Sequence, residues 1–261
     1  MEVLFENFAD ITWQMVVMWC IGGLLIFLAI AKDMEPTLLL PMGFGAILVN
    51  LPNSVAITEN GAIKILFDFG IEHGELFPLL LFIGIGAMID FGPLLSNPKL
   101  FLFGAAAQFG IFLTLGVAAL FGFELKDAAS IAIIGAADGP TAIFVAGQLA
   151  SNYTAAIMVA AYSYMALVPV IQPPIIRLIT TKRERRIKME YSATNVSKLT
   201  RILFPIIVTV ITGLIAPDSA ILIGFLMFGN LIRECGVLNA LSETAQKVLA
   251  NLITLVLGIS I

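Results

Sequence analysis

The chain is a series of apolar segments separated by short polar turns, at about 14–31, 37–51, 78–91, 100–121, 128–150, 153–179, 202–216, 219–232 and 247–261. This pattern leaves little choice of solvent. Only 12% of the 261 residues are charged and 59% are apolar, whereas a soluble domain carries roughly a quarter charged residues. An ordinary cytoplasmic enzyme, a disordered chain and a nucleic-acid binder are all excluded. The reading is an all-α polytopic membrane protein, with the first span, Trp13 to Ala31, retained because no basic signal-type start precedes it. Trp13 and Trp19 suit an interfacial belt.

Several segments are too short for the roughly 20 residues a straight span needs. Others carry Gly and Pro at their centres. Segment 78–91 has Gly84, Gly86 and Asp90, and segment 128–150 has Gly139-Pro140. Broken segments of this kind mark ion-transport sites.

Charge fixes an orientation. Residues 1–176 hold 4 Lys/Arg against 13 Asp/Glu, and residues 177–201 hold 8 against 2. The basic loop belongs on the cytoplasmic side. Glu2, Glu6 and Asp10, with no basic neighbour, place the N-terminus outside. Six segments precede the loop, and six crossings would return the chain to the outside. One re-entrant segment removes the conflict, and 78–91 and 128–150 are its candidates. A weak repeat pairs Phe44-Gly45 with Phe228-Gly229 at an offset of 184, with opposite directions through the membrane. The expected organisation is a first membrane repeat at 1–181, a basic loop at 182–200 and the start of a second, inverted repeat at 201–261.

Chemistry concentrates in Ile131 to Gln148. Asp138 stands among Gly135, Ala136, Ala137 and Gly139, where a carboxylate is costly unless it is paired or meets water. Pro140 lacks an amide hydrogen and so frees a carbonyl. Asp138, Thr141 and carbonyls of Gly135 and Gly139 form a set of hard oxygens suited to Na⁺ or H⁺. Asp138 also suits a helix N-cap, and the two roles are compatible. Asp90 reads mainly as a turn or cap. Tyr164, beside Tyr162 and Ser163, reads equally as a packed tyrosine and as a site residue. Gln108 and Gln172 read as bonds across helices, and the run Lys182 to Lys188 as a topology signal or a dock for an acidic soluble partner. Cys20 and Cys235 form no disulfide framework. His73, the sole histidine, excludes a histidine-rich metal or haem site, and no phosphate-binding loop is present.

GAADGPTAIF, AYSYMALVPVIQPPI, EPTLLLPMGFGAILVNLP, GIGAMIDFGPLLSNP and GNLIRECGV resemble the β subunit of the biotin-dependent sodium-pumping decarboxylases, which act on oxaloacetate, methylmalonyl-CoA or glutaconyl-CoA. The resemblance covers nearly the whole chain. It implies a prokaryotic inner-membrane protein that decarboxylates carboxybiotin, takes up a proton and moves Na⁺ outward. The biotin would be carried by a partner. Implied partners are the biotin carrier and carboxyltransferase subunit, a small membrane anchor subunit and further β subunits, with no nucleic acid. It implies a Na⁺-binding role for Asp138 and a place in the proton and ion path for Tyr164. The family pattern also implies that the chain stops within its second repeat, lacks half of the ion site and is inactive as a pump alone. The competing reading is a Na⁺-coupled secondary transporter of a small anion without decarboxylase activity.

Overall fold

A computed structural model describes residues 8–72, 75–149, 151–188 and 196–261, except the side chains of Ala166 and Pro169. Glu2, Glu6, His73 and positions 189–195 of the basic loop lie outside the described residues. Among the described residues, three helices are long and apolar enough to cross a membrane, or up to five if each of two bent pairs is one span. The protein is all-α and multi-pass.

Helix α1 (Trp13–Lys32) starts at Thr12, whose hydroxyl caps Met15 N. It ends at Asp33 in the left-handed region, φ 53°, which a short polar side chain tolerates. Helix α2 (Pro36–Val49) opens on a proline, where an amide would be unpaired anyway. The pair forms an antiparallel hairpin. Gly22 and Gly43 face each other so closely that a Cβ on either would lie 2.6 Å from the other's carbonyl. In lipid, helix association rests on such close packing rather than on escape from water. At the far end, Asn53 Nδ2 donates to Asp10 Oδ2 at 2.9 Å and Trp19 Nε1 to Asn50 O at 3.0 Å. Both ends of the hairpin are thus fixed to the same side of the molecule.

Helix α3 (Ala62–Phe67) widens into a π turn (Asp68–Glu72), and α4 (Leu76–Met88) follows at a 67° bend. A short α5 (Gly92–Ser96) then leads into α6 (Phe101–Leu120). Asp90 behaves as a turn residue here, accepting from Gly92 N at 2.9 Å. Helix α6 exposes Phe103, Phe109, Phe112 and Leu120, as expected of a lipid-facing span. Gln108 lies on its exposed surface.

Residues 125–148 fold back on themselves as a helical hairpin. Helix α7 (Leu125–Ala132) descends, a 3₁₀ turn (Ile133–Ala136) reverses it, and α8 (Gly139–Gln148) returns. The two feet meet where Asp127 accepts from Ser151 Oγ and Asn152 N. Of the two broken segments, this one has both feet joined on one side of the hairpin, while 78–91 runs along α4 beyond a bend. Helix α9 (Thr154–Ile179) then crosses, bent by 60° between Met165 and Val170.

After α9 the chain reaches the basic loop. There the Thr181 backbone amide and hydroxyl hold the Glu184 carboxyl below its usual pKa. Helix α10 (Lys198–Ile215), capped by Ser197, runs back, and α11 (Pro217–Cys235) returns and stops at Gly236 with φ 73°. Arg201 lies 3.7 Å from Glu234, joining the start of α10 to the end of α11. Arg233 donates to Met88 O at 2.7 Å, bringing the end of α4 to the same side. The chain closes with α12 (Asn239–Glu243), a second π turn (Thr244–Leu249) and α13 (Ala250–Ser260).

Two crossings organise the interior. On α4, Gly86 rests on the carbonyl of Leu226, and Gly229 of α11 rests on that of Ile83. On α2, a Cβ at Gly45 would lie 2.7 Å from Ile259 O, and Gly258 of α13 faces Leu38 O and Pro41. A core of Leu38, Met42, Phe77, Leu81, Ile143, Met158, Tyr162 and Leu257 joins α2, α4, α8, α9 and α13. Cys20 and Cys235 are both free thiols.

Candidate functional site

The depth of Asp138 follows from the helix it leans on. The hairpin turn packs against the middle of α6: a Cβ on Gly135 would lie 2.9 Å from Gly110 O and 3.0 Å from Thr114 Oγ1. Gly110 is ten residues from the end of α6, about 15 Å at 1.5 Å per residue. That is half of a bilayer core about 30 Å thick. The ten residues of α8 give the same rise. Asp138 therefore lies about half of a bilayer core's thickness from the feet of the hairpin, at the start of α8.

The local backbone exposes the acid. Ala137 takes the left-handed conformation, φ 54°, and Asp138 is extended and caps α8. Its Oδ1 accepts from Thr141 N at 3.3 Å and its Oδ2 from the Thr141 hydroxyl at 2.6 Å. The cap and the site are thus the same arrangement. Because Thr141 Oγ1 donates to the carboxylate, its lone pairs stay free for a cation. Asp138 and Thr141 are half-buried, while Gly139 and Pro140 are buried.

Gly139 brings α9 against this turn. Its amide donates to Met165 Sδ at 2.9 Å, and a Cβ there would lie 2.9 Å from Tyr162 Cε1. Tyr162 is 2% exposed, and its hydroxyl has no hydrogen-bond partner among the described residues. The two tyrosines of the motif therefore occupy different places. Tyr162 packs on the Asp138 turn. Tyr164 lines an open cleft of about 270 Å³ with Ala137, Val168, Ile171, Gln172 and Ile175. That cleft begins at the turn and follows the second half of α9 toward the basic loop. Gly135 lies on the opposite side of the turn, against α6.

Two buried acids were not singled out from sequence. Asp127 holds the feet of the hairpin, and Glu75 starts α4 with φ 54°, its Oε2 3.4 Å from Gln148 Nε2. Glu75 lies over Gly147, which has no side chain to block it. Asp127 had a readable signal, a short apolar hairpin flanked by an acid on one side and Ser151-Asn152 on the other. Glu75 had none, because its partner Gln148 is 73 residues away.

A half-buried carboxylate beside a hydroxyl with free lone pairs can bind a small hard cation or a proton, one replacing the other. Comparison with known proteins places nearly the whole chain in one family. A family profile described as the Na⁺-transporting oxaloacetate decarboxylase beta subunit matches residues 14–261. The glutaconyl-CoA decarboxylase subunit beta of Acidaminococcus fermentans is 48% identical over 253 residues, covering 97% of this chain and 67% of that protein. The methylmalonyl-CoA decarboxylase subunit beta of Propionigenium modestum is 46% identical, covering 98% and 70%. The oxaloacetate decarboxylase beta chain of Klebsiella pneumoniae is 43% identical, covering 94% and 70%. The chain thus spans about two thirds of the length of these relatives, and it belongs to the β-subunit family of the Na⁺-transporting decarboxylases, as a membrane subunit of such a complex.

Proposed function

We propose that this chain links decarboxylation of carboxybiotin to outward Na⁺ transport, with Asp138 as the site that Na⁺ and H⁺ occupy in turn. The observation that carries this reading is the position of Asp138: a carboxylate at the tip of a helical hairpin, with Thr141 as its hydrogen-bond partner, at the depth expected of a bilayer midplane if the hairpin is re-entrant. A carboxylate so placed is costly unless it is paired or meets water. Proton affinity and Na⁺ affinity are then linked, because each ion displaces the other. Gly139, in the same turn as the acid, is the backbone candidate to add to the shell, whereas the Gly135 carbonyl faces Gly110 of α6.

Carboxybiotin, brought by a carrier subunit, supplies a carbon–nitrogen bond whose cleavage releases CO₂ and leaves the electron pair on the ureido nitrogen to take a proton. The cleft beside Ala137 fits such a bicyclic ring: its walls are apolar, and Tyr164 and Gln172 supply a hydroxyl and an amide. Tyr164, which shares this cleft with Ala137, is the proposed proton carrier between carboxybiotin and the ion site. Moving one charge against 100 mV takes about 2.3 kcal/mol, so Asp138 must release Na⁺ only when the proton arrives.

The family relationship favours this over an anion transporter. The basic loop would face the cytoplasm, at the inner membrane, and receive the carrier and carboxyltransferase subunit. A small anchor subunit and further β subunits would complete the assembly, so the chain by itself is not expected to pump. We also propose residues 1–181 as one repeat, 182–200 as the loop and 201–261 as the start of an inverted copy. The paired crossings, α4 on α11 and α13 on α2, support this, with Gly229 and Gly45 related by the offset of 184. The test is Asp138→Asn in the assembled complex. Decarboxylation should lose its Na⁺ activation, and wild-type Na⁺ activation would sink the proposal.

A further inference from the structure

Asp127 takes no part in the scheme above, yet it is a buried carboxylate at the foot of the hairpin that carries Asp138, 3% exposed. Three donors converge on it. Oδ1 accepts from Ser151 Oγ at 2.8 Å and from Asn152 N at 3.0 Å, and Oδ2 accepts from Asn152 Nδ2 at 3.2 Å. Three of its roughly four acceptor positions are used, by neutral protein groups. Ser151 is itself held in place: its hydroxyl accepts from Tyr153 N at 3.2 Å, and its carbonyl accepts from Thr154 Oγ1 at 2.7 Å. Asp127 therefore joins the start of α7, the end of α8 and the start of α9 in one knot.

The other end of the hairpin is located by Gly135 against Gly110. Between these points lies α8, a rod of ten residues. A helix is stiff along its axis, so a displacement at its foot is carried to its first residue, where Asp138 is the cap. We infer that Asp127 is a positioning residue for the ion site: it clasps the feet of the hairpin and so sets the depth and orientation of Asp138, without binding the transported cation itself. This rests on the reading of Asp138 as the Na⁺ site.

The side chains allow a test that separates clasp from ligand. Asp127→Asn keeps an acceptor for Ser151 and Asn152 N, and the Asn152 amide can turn over so that its oxygen accepts from the new amide. All three bonds survive while the charge is lost. Asp127→Ala loses all three, and Ser151→Ala loses one from the other side with little risk to folding. The measurement is Na⁺-activated decarboxylation by the assembled, membrane-bound complex, separating the half-saturating Na⁺ concentration from the maximal rate. Asp127→Ala should raise half-saturation about tenfold, equivalent to about 1.4 kcal/mol. Ser151→Ala should shift it the same way by less, and Asp127→Asn should stay within about twofold of wild type because its bonds are kept. An Asp127→Asn variant as impaired as Asp127→Ala would show that the charge itself matters and overturn the inference. So would unchanged half-saturation in both Asp127→Ala and Ser151→Ala. Asp138→Asn is assayed alongside. If it keeps Na⁺ activation, the ion-site reading fails, and this inference with it. If it loses activation while the Asp127 variants do not shift, the clasp alone is wrong.

Discussion

Replacing Gly139 by alanine tests the packing that sets Asp138 against α9. The new methyl would lie 2.9 Å from Met165 Sδ and from Tyr162 Cε1, and 3.0 Å from Tyr162 Cζ. Each is about 0.5 Å inside the shortest ordinary carbon contact, on the steep side of the potential. The thioether can move aside, but the ring of Tyr162 is 2% exposed and packed in the core. Either the ring or the start of α8 must therefore shift. Overpacking of this kind costs about 1–3 kcal/mol, and replacing glycine in the first turn of a helix returns up to about 1 kcal/mol. The net is a loss of about 1–2 kcal/mol. A shift of half an ångström at a binding carboxylate should also lower Na⁺-activated turnover by about tenfold, since a 1 Å misplacement costs about a hundredfold. Thermal unfolding in detergent and Na⁺ titration of decarboxylation by the reassembled complex read the two effects. Gly116→Ala is the control, because nothing lies within 4 Å of a Cβ there, and it should be neutral or slightly stabilising. A Gly139→Ala variant matching wild type in both assays would refute the argument that Tyr162 and the Asp138 turn share a rigid contact.

Thr141→Val should keep the backbone cap but remove the 2.6 Å hydroxyl contact to Asp138. Half-saturating Na⁺ should rise several-fold, with Thr141→Ser close to wild type. Gly86→Val should block the α4–α11 crossing, where the carbonyl of Leu226 already touches the glycine; loss of folded protein in detergent extracts is expected, and a normal yield would contradict the crossing. Arg233→Gln should lower the thermal midpoint by a few degrees through loss of the bond to Met88 O, worth about 1 kcal/mol. Trypsin should cut between Lys182 and Lys188 in inside-out vesicles and leave right-side-out vesicles intact.

Much of this arrangement is legible in the sequence because the membrane imposes a simple rule. Backbone amides must be satisfied internally, so apolar runs become helices, and Gly-Pro in mid-run marks a place where the rule is broken. That is how 128–150 stands out, and charge parity asks for one segment that does not cross. What separates it from 78–91 is a set of tertiary contacts, the bonds that Asp127 accepts from Ser151 and Asn152, which no periodicity reveals. The same limit applies to the tyrosines. Tyr162 and Tyr164 are two residues apart, about 200° around a helix, so they face opposite ways. Only the packing of Gly139 shows which one meets the Asp138 turn. Glycines carry the helix crossings for the reason that makes them hard to read: their role is the absence of a side chain opposite a backbone they approach only once folded.

The most direct test is ²²Na⁺ uptake into vesicles holding the reassembled complex, oriented with the basic loop outward and driven by decarboxylation. Wild type should accumulate Na⁺, and Asp138→Asn should accumulate none while its partner subunit still transfers the carboxyl group to biotin at the normal rate. Uptake by Asp138→Asn at the wild-type rate would contradict the claim that this carboxylate is where the ion and the proton exchange.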